Sequence, residues 1–142
     1  MSEIVSSAEE MEAIGASIAK EIKTKKFPAI IYLHGDLGAG KTTLVRGALH
    51  ELGHRGLAKS PTFTLVETYS LSPYEIYHFD LYRISDPEEL DYIGIREFST
   101  NQSICFIEWP ELGQPMVPKP TLEIFIEYHP QGRRINMTVP YN

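Results

Sequence analysis

A single cysteine, Cys105, leaves no possibility of an internal disulfide in this chain of 142 residues, and suits a reducing compartment. No apolar run approaches the roughly 20 residues needed to cross a bilayer, so no association with membranes is expected. The opening stretch, MSEIVSSAEE, is acidic and broken by serine; it lacks the basic start and apolar core of a secretory signal, and a cytoplasmic location is the expectation. Positive charge is scarce too. Thirteen Lys and Arg against 19 Asp and Glu give a formal net charge of −6, and the basic residues are scattered rather than gathered into a stripe. Attraction between basic groups and phosphates supplies most of the affinity of nucleic-acid binders. Tight, direct RNA binding is therefore disfavoured, and any role in a nucleic-acid pathway would run through other proteins.

What is present is ordinary globular material, with 42% hydrophobic and 23% charged residues. The length suits one layered core and not two, so a single domain over residues 1–142 is expected. Ser7-Ala8-Glu9-Glu10 reads as a capping box. Met11, Ile14, Ile18 and Ile22 follow at helical spacing, predicting an amphipathic helix to about Lys23. Lys23, Lys25 and Lys26 suit its C-terminal end. Ala29 to Leu33 reads as a buried strand, and Lys41 to about Leu52 as a second helix closed by Gly53. Ser60-Pro61-Thr62 leads into an extended segment, Phe63 to Tyr69; Ser72-Pro73 turns the chain into a strand from Glu75 to Leu81. Ser85-Asp86-Pro87-Glu88-Glu89 starts a short helix that Gly94 ends. Ile104 to Ile107 is the most hydrophobic strand candidate of the second half. Leu122 to Tyr128 and Ile135 to Val139 alternate in polarity around a His129-to-Arg134 turn, predicting an antiparallel hairpin at one edge of the sheet.

The chemistry is concentrated in Gly35-Asp36-Leu37-Gly38-Ala39-Gly40-Lys41-Thr42, which fits the P-loop pattern of Gly, four residues, then Gly-Lys-Ser/Thr. Glycines let backbone N–H groups turn onto phosphate oxygens, and the following helix offers its positive end. Lys41 is placed to reach the β- and γ-phosphates, and the Thr42 hydroxyl to ligate Mg²⁺; Thr43 is in reach of the α-phosphate. The strand before the loop and the helix after it are the contexts this motif requires.

A Mg-nucleotide site also needs acids at the carboxyl ends of strands. Tyr77-His78-Phe79-Asp80 ends one strand on a carboxylate and Cys105-Phe106-Ile107-Glu108 ends another. Glu108 is the candidate to polarise attacking water or hold Mg²⁺ through water, and Asp80 to share the metal or sense the γ-phosphate. Ser60-Pro61-Thr62-Phe63-Thr64 lies where many nucleotide hydrolases keep a γ-phosphate-sensing loop; on sequence physics it reads equally as a Ser-Pro turn starting a strand. Trp109 is a contact for nucleotide or partner, or simply packing at a strand end. Nothing flanking His34 or His78 gives metal spacing or a nucleophile pair, and neither is assigned a catalytic role.

The order of the P-loop, "SPTFTL", "YHFDLYR" and "FIEWPE" closely resembles the bacterial TsaE family, also called YjeE, over nearly the whole chain. The resemblance implies an α/β P-loop NTPase fold: a mostly parallel central sheet flanked by helices, with the antiparallel hairpin at the C-terminal edge. It implies an ATPase using ATP and Mg²⁺, weak on its own, required for threonylcarbamoyladenosine (t6A) formation in tRNA and acting on the proteins TsaD and TsaB through nucleotide-dependent association, so that tRNA is met only indirectly. Under the resemblance Asp36, Leu37, Gly38, Ala39, Gly40, Lys41, Thr42, Thr43 and Trp109 line the nucleotide, and Ser60 to Thr64 form the switch. Lys41, Asp80 and Glu108 are its catalytic residues, with Thr42, Asp80 and Glu108 at the metal. The alternative from another class is a small-molecule kinase. Phosphoryl transfer to an acceptor needs cationic groups around the transferring group, often on a lid. Arg46, Arg55, Arg83, Arg96, Arg133 and Arg134 are the arginines of the chain, and only the hairpin turn pairs two of them. A guanine-reading GTPase is disfavoured because no Asn-Lys-x-Asp stretch occurs.

Overall fold

The computed structural model describes residues 2–24, 28–98 and 102–140; the expected helix-end lysines Lys25 and Lys26 lie outside the described residues. Helix α1 spans Ala8–Ile22, with the Ser7 side chain accepting from the Glu10 N–H at 3.1 Å. Glu10 reaches back one residue further than a standard capping box, to the backbone N–H of Ser6 at 2.6 Å. Strand β1 (Ser2–Val5) precedes this helix, β2 (Ala29–His34) follows it, and helix α2 covers Lys41–Glu51. Strands β3 (Val66–Leu71) and β4 (Tyr74–Asp80) form a hairpin. Helix α3 (Glu88–Tyr92) leads to β5 (Ser103–Glu108), and β6 (Leu122–His129) and β7 (Gly132–Thr138) form the second hairpin.

The sheet runs β1-β7-β6-β2-β5-β4-β3. Its centre, β6-β2-β5-β4, is parallel; β1, β3 and β7 join antiparallel. Alternation along β2 explains both layers of core. Ile31 and Leu33 meet α1 and α2 on one face, while Ile30 and Tyr32 meet Leu90, Ile95 and Val117 on the other. Helices α1 and α2 touch backbone to backbone: a methyl on Gly15 would fall on the Leu44 carbonyl, and one on Gly47 on the Glu12 carbonyl.

Several details differ from expectation. The hairpin lies towards one side of the sheet, but β1 covers its outer edge. Only Val5 of β1 is buried, so the segment carries no alternation to betray it. The turn between β6 and β7 is tighter than His129 to Arg134, because His129 pairs directly with Gly132. The segment from Phe63 is not extended at its start: Leu65 N–H closes on the Pro61 carbonyl at 2.9 Å and Leu65 takes a φ of 72°, so the strand begins at Val66.

Candidate functional site

The loop between β2 and α2 must turn without side chains in the way. Gly40 caps α2 with a φ of 115°, and no side chain occupies the cap. The first N–H groups of the helix, at Lys41, Thr42 and Thr43, therefore stay open to an anion, with the helix dipole behind them. The outer side of the loop is held by the second hairpin. Tyr128 Oη donates to the Leu37 carbonyl at 2.6 Å, and Arg133 donates to Ala39 at 3.1 Å and Gly38 at 3.4 Å. The Arg133 guanidinium sits 4.3 Å from the Tyr128 ring centre. Successive carbonyls are thus turned outward, which leaves the loop amides for the ligand.

A cavity of about 260 Å³ follows, lined by Leu37, Gly38, Gly40, Lys41, Thr42, Thr43, Thr62, Asp80, Glu108 and Trp109. Its carboxylates come from neighbouring parallel strands: Asp80 and Glu108 are register partners across β4 and β5. Thr42 Oγ1 donates to Glu108 Oε2 at 3.0 Å, and His78 Nε2 lies 2.6 Å from the same oxygen. Asp80 accepts from the Tyr82 N–H at 3.1 Å and from Thr62 Oγ1 at 3.4 Å. Lys41 Nζ donates to the Gly35 carbonyl at 2.6 Å and lies 3.8 Å from the Trp109 ring centre. Burial pulls the Lys41 ammonium below its ordinary pKa, opposed by the charges of Glu108, Asp80, Glu111 and Asp36. Trp109 takes a left-handed conformation, φ 58°, before the short turn Pro110–Gly113. Its ring packs against Tyr82 at 4.8 Å.

The expected residues are thus gathered unevenly. Thr62 lines the cavity and Ser60 bonds to it at 2.8 Å, whereas Phe63 points out, 85% exposed, beneath the Arg83 guanidinium, and Thr64 bonds to Glu67. Pro61 is buried and closes the turn through its carbonyl. Asp36 is exposed, its carbonyl accepting from the Ala39 N–H, and it lines neither this cavity nor its neighbour.

That neighbour, about 280 Å³, shares Gly38, Gly40 and Thr43 with the first and adds Ser6, Ser7, Met11 and Arg133 among others. Sequence reasoning missed these additions, because they come from both ends of the chain. It also missed His78 as a partner of Glu108; the only signal was the two-residue spacing of His78 and Asp80, which puts them on one face of a strand.

The oxygen donors fit a divalent ion that arrives with its ligand. Among the described residues no group of three or more His, Cys, Asp or Glu could hold a metal. Two carboxylates and a hydroxyl beside an anion cradle are what Mg²⁺ shared with phosphate uses. No helix among the described residues is long and apolar enough to cross a membrane.

Comparison with known proteins bears on the family of the chain. The model of the family described as "Threonylcarbamoyl adenosine biosynthesis protein TsaE" matches residues 5–135. A Haemophilus influenzae protein named tRNA threonylcarbamoyladenosine biosynthesis protein TsaE is 49% identical over 127 residues, covering 89% of this chain and 80% of its own. A Rickettsia felis protein of the same name is 35% identical over 133 residues, with 93% and 75% covered. The crystal structure of YdiB from Bacillus subtilis superposes with a TM-score of 0.78 at 29% identity, over 98% of this chain and 84% of that one. With the match running from β1 into β7 and so including every strand that builds the site, the chain belongs to the TsaE family.

Proposed function

We propose that the chain is a Mg²⁺-dependent ATPase that serves t6A modification of tRNA by associating with TsaB and TsaD according to its bound nucleotide. The observation that carries the reading is the pairing of an open P-loop with Glu108 and Asp80 across its mouth. The triphosphate lies on the loop amides and Lys41, and the nucleoside extends past Thr43 into the neighbouring cavity between Met11 and Arg133. Thr42 would hold Mg²⁺, with Asp80 and Glu108 close by, and the ion would neutralise phosphate charge. Glu108 accepts a proton from, or orients, the attacking water. Thr62, bonded to Asp80, links the state of the phosphates to the exposed Phe63.

Hydrolysis is favoured over transfer to an acceptor by the cations. Lys41 is the one Lys or Arg lining the phosphate cavity among the described residues. Arg83 is turned to Phe63 and Arg133 to the loop carbonyls, so the hairpin turn supplies no kinase-like lid. The partner assignment is supported by the names of the relatives and by the acidic charge of −6, which suits a protein partner better than RNA. The test mixes the chain with TsaB, TsaD, tRNA and either ATP or ADP, and follows co-elution and t6A formation. Association that depends on the nucleotide is expected; co-elution indifferent to nucleotide, or none, removes the partner assignment.

A further inference from the structure

We infer that His78 is the positioning residue for Glu108: it holds one carboxylate oxygen so that the other is presented to the attacking water. The inference rests on the reading of the site as an ATPase centre. It starts from strand geometry. His78 and Asp80 share a face of β4, and the residue opposite His78 on β5 is Phe106, two positions before Glu108. The imidazole therefore lies beneath the carboxylate at the base of the phosphate cavity, 1% exposed.

The hydrogen bonds then sort the two oxygens of Glu108. His78 Nε2 and Thr42 Oγ1 both meet Oε2, at 2.6 and 3.0 Å. Among the described residues no hydrogen bond reaches Oε1, and Glu108 lines the cavity. His78 Nδ1 is buried without a partner, the one such side-chain atom among the described residues. A carboxylate oxygen 2.6 Å from Nε2 needs a proton between the two atoms, since two lone pairs cannot face each other at that distance. A proton on Nδ1 would be stranded where nothing accepts it, so the proton belongs on Nε2, where a carboxylate does.

The Thr42 hydroxyl can turn its proton to another acceptor, whereas the buried ring in a central strand holds its nitrogen at one place beneath the carboxylate. None of the groups that grip phosphate, the loop amides and Lys41, has a hydrogen bond to His78. Loss of the ring should therefore disturb turnover and spare nucleotide binding.

The test uses the full chain with ATP and Mg²⁺, comparing native protein, His78→Leu and His78→Gln, the last restoring an N–H donor near the Nε2 position. With His78→Leu, kcat should fall about 10- to 100-fold while the ATP dissociation constant, read from Trp109 fluorescence, stays within about threefold. His78→Gln should recover most of the turnover. Turnover of His78→Leu within about twofold of native overturns the inference, as does a parallel fall in kcat and affinity, or a folded His78→Gln no better than His78→Leu. Independently of folding in the variants, ¹⁵N spectra of native protein labelled at histidine should show His78 protonated on Nε2. Protonation on Nδ1 alone would overturn the inference. A native chain that binds ATP without hydrolysing it defeats the ATPase reading itself, whatever the spectra show of the His78–Glu108 bond.

Discussion

Lys41 Nζ lies 3.8 Å from the centre of the Trp109 ring, placing the cation of the phosphate loop on the only tryptophan of the chain. To reach a triphosphate the ammonium must leave the Gly35 carbonyl and shift relative to the indole. Addition of MgATP or MgADP should therefore change Trp109 emission, which gives a direct titration of binding. Lys41→Ala should weaken that binding about 10- to 100-fold, the worth of a charge-assisted contact of about 1.5–3 kcal/mol. Unaltered affinity in Lys41→Ala would remove Lys41 from the phosphates.

Glu108→Gln keeps the shape of the side chain and its place opposite Thr42 and His78 but removes the base. ATP binding should persist and turnover should fall about 10²- to 10⁴-fold. Steady-state phosphate release beside the fluorescence titration separates the two; undiminished hydrolysis would take Glu108 out of its role.

Burial makes the Lys41 ammonium costly in the ligand-free protein, and the lowered pKa fixes the sign of its effect. Below that lowered pKa, Lys41 is charged in folded and unfolded chains alike, and the whole cost falls on the folded state. As pH rises towards the unfolded value near about 10.4, the folded chain releases its proton first and the cost is relieved. Lys41→Met should therefore raise the nucleotide-free Tm at neutral pH, with the gap to native protein narrowing as pH rises. A gap that widens towards alkaline pH, or a lower Tm, contradicts the assignment.

Gly15→Ala tests the joint between α1 and α2. The added methyl meets the Leu44 carbonyl, which is backbone and cannot move aside. Overpacking of this kind costs about 1–3 kcal/mol, more than the helix propensity gained from alanine. Because α2 begins at Lys41, its displacement should also weaken nucleotide binding. Denaturant unfolding and the fluorescence titration should report both losses together.

Tyr128→Phe and Arg133→Ala release the outward carbonyls of the phosphate loop. The first removes a single bond to Leu37, worth about 0.5–1.5 kcal/mol, and nucleotide affinity should fall by no more than about tenfold. Arg133→Ala also opens the wall of the neighbouring cavity, so its loss should be the larger of the two. Equal affinities for native protein and Arg133→Ala, measured calorimetrically, would show that the loop holds its shape unaided.

Much of this was legible in the sequence where the signal is local. Ser7 and Glu10 announced α1, the spacing of Gly35 to Thr42 announced the cradle, and the apolar run before Glu108 put that acid at a strand end. What escaped is non-local. Strand β1 is defined by its pairing with β7, some 130 positions along the chain, and His78 matters through a carboxylate on another strand. Tyr128 and Arg133 look like an exposed hairpin turn until the fold brings the loop beneath them. Ser60-Pro61-Thr62 marks where an extended segment should begin, yet the turn closed by the Pro61 carbonyl carries on to Leu65 and leaves Phe63 outside the strand.

The hold of Tyr128 and Arg133 on the phosphate loop also ties the cradle to the far end of the sequence. The residues that brace the loop follow it by more than 90 positions. The β6 strand beside β2 arrives equally late. A chain that ends before Leu122 carries the whole Gly35–Thr42 motif but lacks the donors that turn its carbonyls outward, so the cradle is complete only once β6 and β7 have joined the sheet.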